Sequence, residues 1–446
     1  MKLHYIRFLA MLALAALVGC TALPISLRGG LQGTQADGVS TPTPDLGFET
    51  VYTPTPSTAS PGQTEPSPAT GTTLRLWVPP AFDPAGTSQQ SKLMKDRLDQ
   101  FTSENPEVKL ELRVKDLEGA GGMLESLVTA NVAAPLTLPD LVLLPRPLLE
   151  SATLKGLLSP YDAMTDVMDT ESWYEYAHQL ARVQSGTYCI PFAGDTILLA
   201  YHPSMRETSP ASLEDTLALG EVFLFPATDP QAAFTLNTYL ADGGTLQDDQ
   251  GRPVVDETVL TSVLDNYQRL TQAGVMPYWL TQFSTDEQVW ESFLSTPYPA
   301  VATWASSYLK HLQAGEGDLA VAPLPTLDGS RFSLASGWCW ALAGQNADKQ
   351  VLAAKLSEYL VDEKFMGALT SAAGYLPPRK DALQSWPDVE LRQVMDTISS
   401  SAQLLPPVDL LASIGPALEQ AVVDILKAQT DPQTAAETAV RQINQP

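Results

Sequence analysis

Apolar positions between residues 74 and 144 switch between two periods. Leu74, Leu76, Trp77 and Val78 form a short apolar run, which predicts a strand over 74–78. Ser88 then stands at a helix start. Leu93, Met94, Leu98 and Phe101 recur at helical spacing up to Glu104, so one amphipathic helix capped by Ser88 is expected. Asn105-Pro106 ends it. Val108, Leu110, Leu112 and Val114 alternate with Lys109, Glu111 and Arg113, the pattern of a strand with one buried face. A turn at Gly119, Gly121 and Gly122 opens a second helix over 123–133. The run 140–144 is continuous enough for a strand covered on both faces. Strand, helix, strand, helix, strand in this order predicts an α/β fold with parallel pairing and right-handed crossovers.

Ahead of residue 72 neither period holds. Thr41-Pro42-Thr43-Pro44, Thr53-Pro54-Thr55-Pro56 and Pro66-Ser67-Pro68 are Thr/Ser/Pro repeats. Proline removes backbone donors, and such a composition buries too little apolar surface to offset the entropy of ordering. Residues 20–71 are therefore expected to be an extended, disordered tether that sets the body at a distance; an O-glycosylated stalk is the other use of such a composition. Lys2 and Arg7 precede an apolar run over 8–18. It is too short for the roughly 20 residues of a membrane span, and it has the length of a signal-peptide core. The run ends Leu17-Val18-Gly19-Cys20, which resembles the bacterial lipoprotein signal. That resemblance implies removal of residues 1–19, a lipid on the Cys20 sulfur, and residence on the outer face of the cell membrane. An ordinary secretory signal with an incidental cysteine is the plainer alternative. No other stretch reaches the length and apolarity of a span.

Length and charge narrow the function. A chain of 446 residues exceeds one ordinary domain, and 44% hydrophobic residues suffice for a sizeable core. The formal charge is −25, from 51 acidic and 26 basic residues. A nucleic-acid backbone would be repelled by that field. The three cysteines, Cys20, Cys189 and Cys339, form no CxxC, and His4, His178, His202 and His311 have no metal-ligand spacing. Neither a Gly-x-Ser-x-Gly elbow nor a Gly-rich phosphate loop occurs. No metal, cofactor or catalytic residue is expected.

Several segments resemble the extracellular solute-binding proteins of sugar ABC transporters, the group that includes maltose-binding protein. They are the opening strand Thr73-Leu74-Arg75-Leu76-Trp77, the helix ending Phe101-Thr102-Ser103-Glu104-Asn105-Pro106, and the strand start Pro139-Asp140-Leu141-Val142. Gly156-Leu157-Leu158-Ser159-Pro160-Tyr161-Asp162 follows, then Tyr188-Cys189-Ile190-Pro191-Phe192-Ala193-Gly194-Asp195-Thr196. Gly251, Val275 and Pro277, Ser336-Gly337-Trp338-Cys339-Trp340-Ala341-Leu342, and Gly374-Tyr375-Leu376-Pro377-Pro378-Arg379 complete the set. They occur in family order and at family spacing over 72–390. Two stretches depart from the pattern: Tyr201-His202-Pro203, and Leu144-Pro145-Arg146-Pro147 in a place that often supplies polar ligand contacts.

The resemblance implies a two-lobe periplasmic-binding-protein-like fold with crossover hinge strands. Lobe 1 would hold 72–195 and 330–368, and lobe 2 would hold 196–329 and 369–446. By its own pattern the Ala-rich amphipathic stretch 414–440 is expected to pack on lobe 2, with a helix for a partner as the alternative. Hinge closure around a ligand is the expected motion. The implied function is the extracytoplasmic substrate-binding component of an ABC importer, which takes a carbohydrate or similar polar solute into the inter-lobe cleft. Its partners would be the solute, the permease subunits and, through the anchor, the membrane; the protein itself would be a monomer. A ligand-sensing lipoprotein of the same fold and a surface-anchored glycoside hydrolase are the competing readings.

A sugar offers flat C–H faces and a rim of hydroxyls, so its site needs aromatic planes and fixed polar groups. The aromatic candidates are Trp77, Trp304, Trp338, Trp340 and Tyr375, each with core packing as the alternative; Trp304 lies in Ala302-Thr303-Trp304-Ala305-Ser306-Ser307, which resembles the family's second-lobe segment with a ligand-facing tryptophan. Asp195 and Thr196 lie at the implied first crossover, where a carboxylate can accept sugar hydroxyls or only tie down a hinge turn. Arg146 would reach an acidic sugar or pair with a carboxylate, or stand solvated at a helix start. The family pattern places the strands of Cys189 and Cys339 in one lobe, which permits a disulfide in an oxidising exterior; two buried thiols are the alternative.

Overall fold

The computed structural model describes residues 71–315 and 317–444. The signal, Cys20 and the tether up to residue 70 lie outside the described residues. In chain order the strands are β1 (Thr72–Val78), β2 (Val108–Val114), β3 (Leu141–Pro145), β4 (Arg182–Val183), β5 (Gly186–Thr187) and β6 (Cys189–Tyr201), then β7 (Phe223–Leu224), β8 (Ala300–Trp304), β9 (Ala320–Ala322), β10 (Ser333–Leu342) and β11 (Ala402–Leu404). β4 and β5 form a small hairpin. The rest join in the order β2-β1-β3-β10-β6-β8-β7, with β11 on β10 and β9 on β6.

The first elements follow their local patterns. Ser88 accepts the Ser91 amide at 3.2 Å and caps the helix Gln89–Glu104. Met94, Leu98 and Phe101 of that helix are buried. β1 pairs in parallel with both β2 and β3, and Leu141 to Leu144 are fully buried. β2 ends the sheet, so Leu110 and Leu112 are only half-buried rather than sealed. The sheet becomes mixed at β10, which runs antiparallel to β3 and β6.

Two halves emerge from which core each residue joins. Along β6, Ile190, Phe192 and Ala193 belong to the core with Leu74 and Leu76, whereas Ile197 to Ala200 belong to another, with Phe223 and Val301. β10 makes the same change: Leu334 and Ala335 lie in the second core, Trp340 and Leu342 in the first. On β11, Ala402 lies in the second core and Leu404 packs against the Trp77 cluster of the first half. The register brings these changes to one level, with Asp195 opposite Ser336 and Gly194 opposite Gly337. A fourth passage follows the helix Glu363–Ala373: Ala373 is in the first core, Leu376 in the second, and Leu376 and Gly194 exchange backbone bonds of 2.7 and 2.9 Å. The changes of core thus fall at 193–197, 335–338, 373–376 and 402–404.

Glycine is required at the crossing. A Cβ on Gly194 would meet the Tyr176 hydroxyl at 2.2 Å, and one on Gly337 would meet the Ala193 carbonyl at 2.6 Å. Deeper in the first half, Cys189 and Cys339 join in a disulfide with Cα atoms 5.6 Å apart. By the chain-entropy model, closing its loop contributes about 4–5 kcal/mol. The C-terminal helices Val408–Leu426 and Pro432–Ile443 bury their apolar faces in the second core. Among the described residues no helix is long and apolar enough to cross a membrane.

Candidate functional site

A cavity of about 1050 Å³ opens at the crossing, lined by residues of both halves. Trp338 and Tyr375 stand on the first half's side. Both are half-buried and backed by Phe82, whose ring stacks on Tyr375 at 5.8 Å and meets Trp338 edge-on at 5.3 Å. Trp304, half-buried at the end of β8, lines the second half's side with Trp290 and Phe234. The Lys310 ammonium, from the second half, lies 4.8 Å from the centre of the Tyr375 ring.

Asp195 lines the cavity midway along β6, and its partial exposure is toward that space. Its Oδ1 accepts the Ser306 and Thr196 amides, each at 3.0 Å. Ser306 lies in the first turn of the helix Ala305–Gln313, which has no side-chain cap of its own. Asp286 completes that helix start by accepting from the Trp304 amide at 3.2 Å, the Thr303 hydroxyl at 2.8 Å and the Ser307 hydroxyl at 2.6 Å. Two carboxylates thus meet one helix N-terminus, where the dipole favours negative charge. Burial and the nearby Asp286 push the Asp195 carboxyl up to about 7, against the Ser306 bonds and the Lys310 ammonium, which lower it. Burial likewise raises Asp286. Burial and then the Asp195 charge push the Tyr375 phenol up to about 12. The unengaged lone pairs of these carboxylates can accept hydroxyls from a bound molecule, and the rings offer planes to its apolar faces.

The structure brings together Asp195, Trp304, Trp338, Tyr375 and Arg146 of the residues singled out from sequence. Three others stand elsewhere. Trp340 is fully buried in the first core, two residues beyond the cavity, and packs edge-on against Phe192. Trp77 is 3% exposed and packs among Met123, Leu127 and Val142, one residue before the end of β1 and outside the cavity's lining. Thr196 is fully buried, because consecutive strand residues point to opposite faces and Asp195 holds the cavity side. Arg146 reaches the cavity's lining with its guanidinium already paired to a carboxylate. It is 9% exposed and bonded to Glu150 at 2.6 Å and to the Leu180 and Arg182 carbonyls at 2.9 and 2.6 Å. Sequence reading missed Phe234, Asp286, Trp290 and Lys310. Only Asp286 carried a local signal, following Thr285 at a helix start. Among the described residues no cluster of His, Cys, Asp and Glu could hold a metal ion.

Residues 96–393 match the family model described as bacterial extracellular solute-binding protein. No curated protein matches the chain. Solved structures share the fold. The maltose-binding periplasmic protein MalE of Listeria monocytogenes, in complex with maltose, is 20% identical with a TM-score of 0.67, over 83% of this chain and 96% of that one. The sugar-binding protein MalE of Xanthomonas citri is 19% identical with a TM-score of 0.68, over the same shares. An ABC transporter solute-binding protein of Thermotoga lettingae, bound with α-D-tagatose, is 18% identical with a TM-score of 0.61, over 83% and 98%.

Proposed function

Because this chain belongs to the bacterial extracellular solute-binding proteins, we propose that its cavity captures a carbohydrate or a similar polar solute for an ABC importer. The observation that carries this reading is the pairing of opposed aromatic walls with a carboxylate at the crossing. Trp304 stands on one half, Trp338 and Tyr375 on the other, and Asp195 between them. Rings suit the C–H faces of a sugar and carboxylates accept its hydroxyls. The bound maltose and tagatose of the similar structures support the same class of solute. Lobe boundaries at the crossing fit closure of the two halves over the solute.

Asp195 and Asp286 are bonded to the start of one helix through the Ser306 and Trp304 amides, which orients them for polar contact with a solute. The protein is read as a monomeric binder that delivers its solute to permease subunits. It is extracytoplasmic, as the family implies, and held at the membrane through a lipid on Cys20. Replacing Cys20 by alanine should then release the protein into the soluble fraction; membrane retention of that variant with its signal removed would contradict the anchor.

A thermal-shift screen against neutral mono-, di- and oligosaccharides tests the solute class. A ligand present at about 100 times its Kd stabilises the folded state by roughly 2.7 kcal/mol, a shift of several degrees. Stabilisation by one saccharide series without turnover supports capture. Release of products from a saccharide supports the hydrolase instead, and no response to any saccharide points to a different solute.

A further inference from the structure

Glu150 lines the cavity, yet it is 6% exposed and its carboxylate is spent within the protein. One oxygen accepts the Arg146 Nε at 2.6 Å. The other accepts the Val408 amide at 3.0 Å, from the first residue of the long helix Val408–Leu426. Glu150 stands on the helix Arg146–Leu154, beside Leu149 and Ala152 of the first half, whereas the helix it caps is built into the second core. This bond therefore ties the two halves together beside the crossing.

The backbone donors of residues 404–408 are all accounted for. The Leu404 amide bonds to Gln179 Oε1 at 2.7 Å and the Leu405 amide to the Ala335 carbonyl at 2.8 Å. Pro406 and Pro407 have no N–H, and the Val408 amide goes to Glu150. Arg146 secures both flanking anchors at once. It holds Glu150, and it gathers the carbonyls of Leu180 and Arg182 at the end of the helix that carries Gln179. A carboxylate at a helix N-terminus is favoured by the dipole and by charge-assisted bonding. A buried carboxylate without its cation would be strongly disfavoured, so Arg146 and Glu150 act as one unit.

We infer that Glu150 is a positioning residue for solute capture: through the Val408 amide it fastens the crossing at 402–404 to the first half. Relative movement of the halves is then taken up at the Gly194 and Gly337 crossings, next to Asp195, and not in the segment 404–408. Arg146 holds Glu150 for that task and does not serve an acidic solute. This inference rests on the reading of two halves that close over the cavity. Its test needs no solute, so it can fail without touching the identity of what is bound.

The test compares Glu150→Gln with Val408→Pro in the full chain. The first removes the charge at nearly constant shape. The second deletes only the donated N–H, at the first helical position, where proline is tolerated, and after a residue whose extended backbone accepts a following proline. Spin labels on Lys92→Cys and Gln433→Cys, exposed positions in the first and second halves, report the distance between them. Cys20→Ser leaves no other free thiol, since Cys189 and Cys339 are bonded together. Each change should shift the ratio of open to closed distances in the same direction, on the order of tenfold. The two together should do no more than either alone. Folded variants with the parent distance distribution, or effects that add, would overturn the inference. Should Glu150→Gln fail to fold, Val408→Pro alone decides through the same distribution.

Discussion

Trp338 and Trp340 stand two residues apart on β10 and turn toward the same core, yet they do different work. Trp340 is fully buried against Phe192. Phe192 meets Phe82, and Phe82 meets Trp338 and Tyr375, so one continuous run of rings leads from the interior of the first half to the cavity. Residue type and spacing are alike along that run. Their distance from the crossing differs: the core changes at Ser336-Gly337, where the pairing of β10 with β3 has ended, and the register of β10 on β6 shifts between Trp338 and Cys339. The lesson is that an aromatic residue in this fold is given its role by its place along a crossing strand, and the tertiary pairing sets that place.

The largest way to sharpen the contrast is Trp340→Ala. A cavity left by a fully buried tryptophan costs about 3–5 kcal/mol. Chemical denaturation should show that loss, while the fraction still folded should bind solute with the parent affinity. A small loss of stability together with a large loss of affinity would show that Trp340 belongs to the site after all.

The next effect concerns the carboxylate at the same level. The Asp195 carboxyl is raised to about 7 in the folded protein, against an unfolded value of about 3.9. Between those values the folded state holds the extra proton, so this group's contribution to stability falls as pH rises from 4 to 7. Asp195→Asn should be as stable as the parent near pH 4 and more stable at pH 8, by on the order of 2 kcal/mol once water in the cavity is allowed for. Denaturation curves at the two pH values check this. An equal difference between the proteins at both pH values would place the Asp195 carboxyl in the ordinary range.

Much of this architecture was legible because it is local. The strand read over 74–78, the Ser88-capped helix and the buried run read over 140–144 each declare themselves within a few residues. The resemblance then supplied the order of the later segments, and with them Asp195, Trp304, Trp338 and Tyr375. What local pattern could not supply depends on pairing across long separations. Thr196 follows Asp195 directly, and the strand register alone puts it on the opposite face. The Glu150 partner of Arg146 is local, at i+4, but the Leu180 and Arg182 carbonyls that help bury its guanidinium lie far along the chain. Lys310 and Trp290 lie on helix faces whose sequence gives no hint that a cavity, rather than solvent or core, will meet them.

The central claim is that a solute is held between ring walls contributed by the two halves, and calorimetric titration of Trp304→Ala tests it most directly. The titrant is the saccharide that most stabilises the parent protein. Trp304 is only half-buried, so its loss should leave the melting temperature of the empty protein nearly unchanged. Affinity should fall by on the order of 1.5 kcal/mol, or about tenfold. A folded Trp304→Ala protein that binds as tightly as the parent, or one so destabilised that its weaker binding follows from unfolding, would contradict the account.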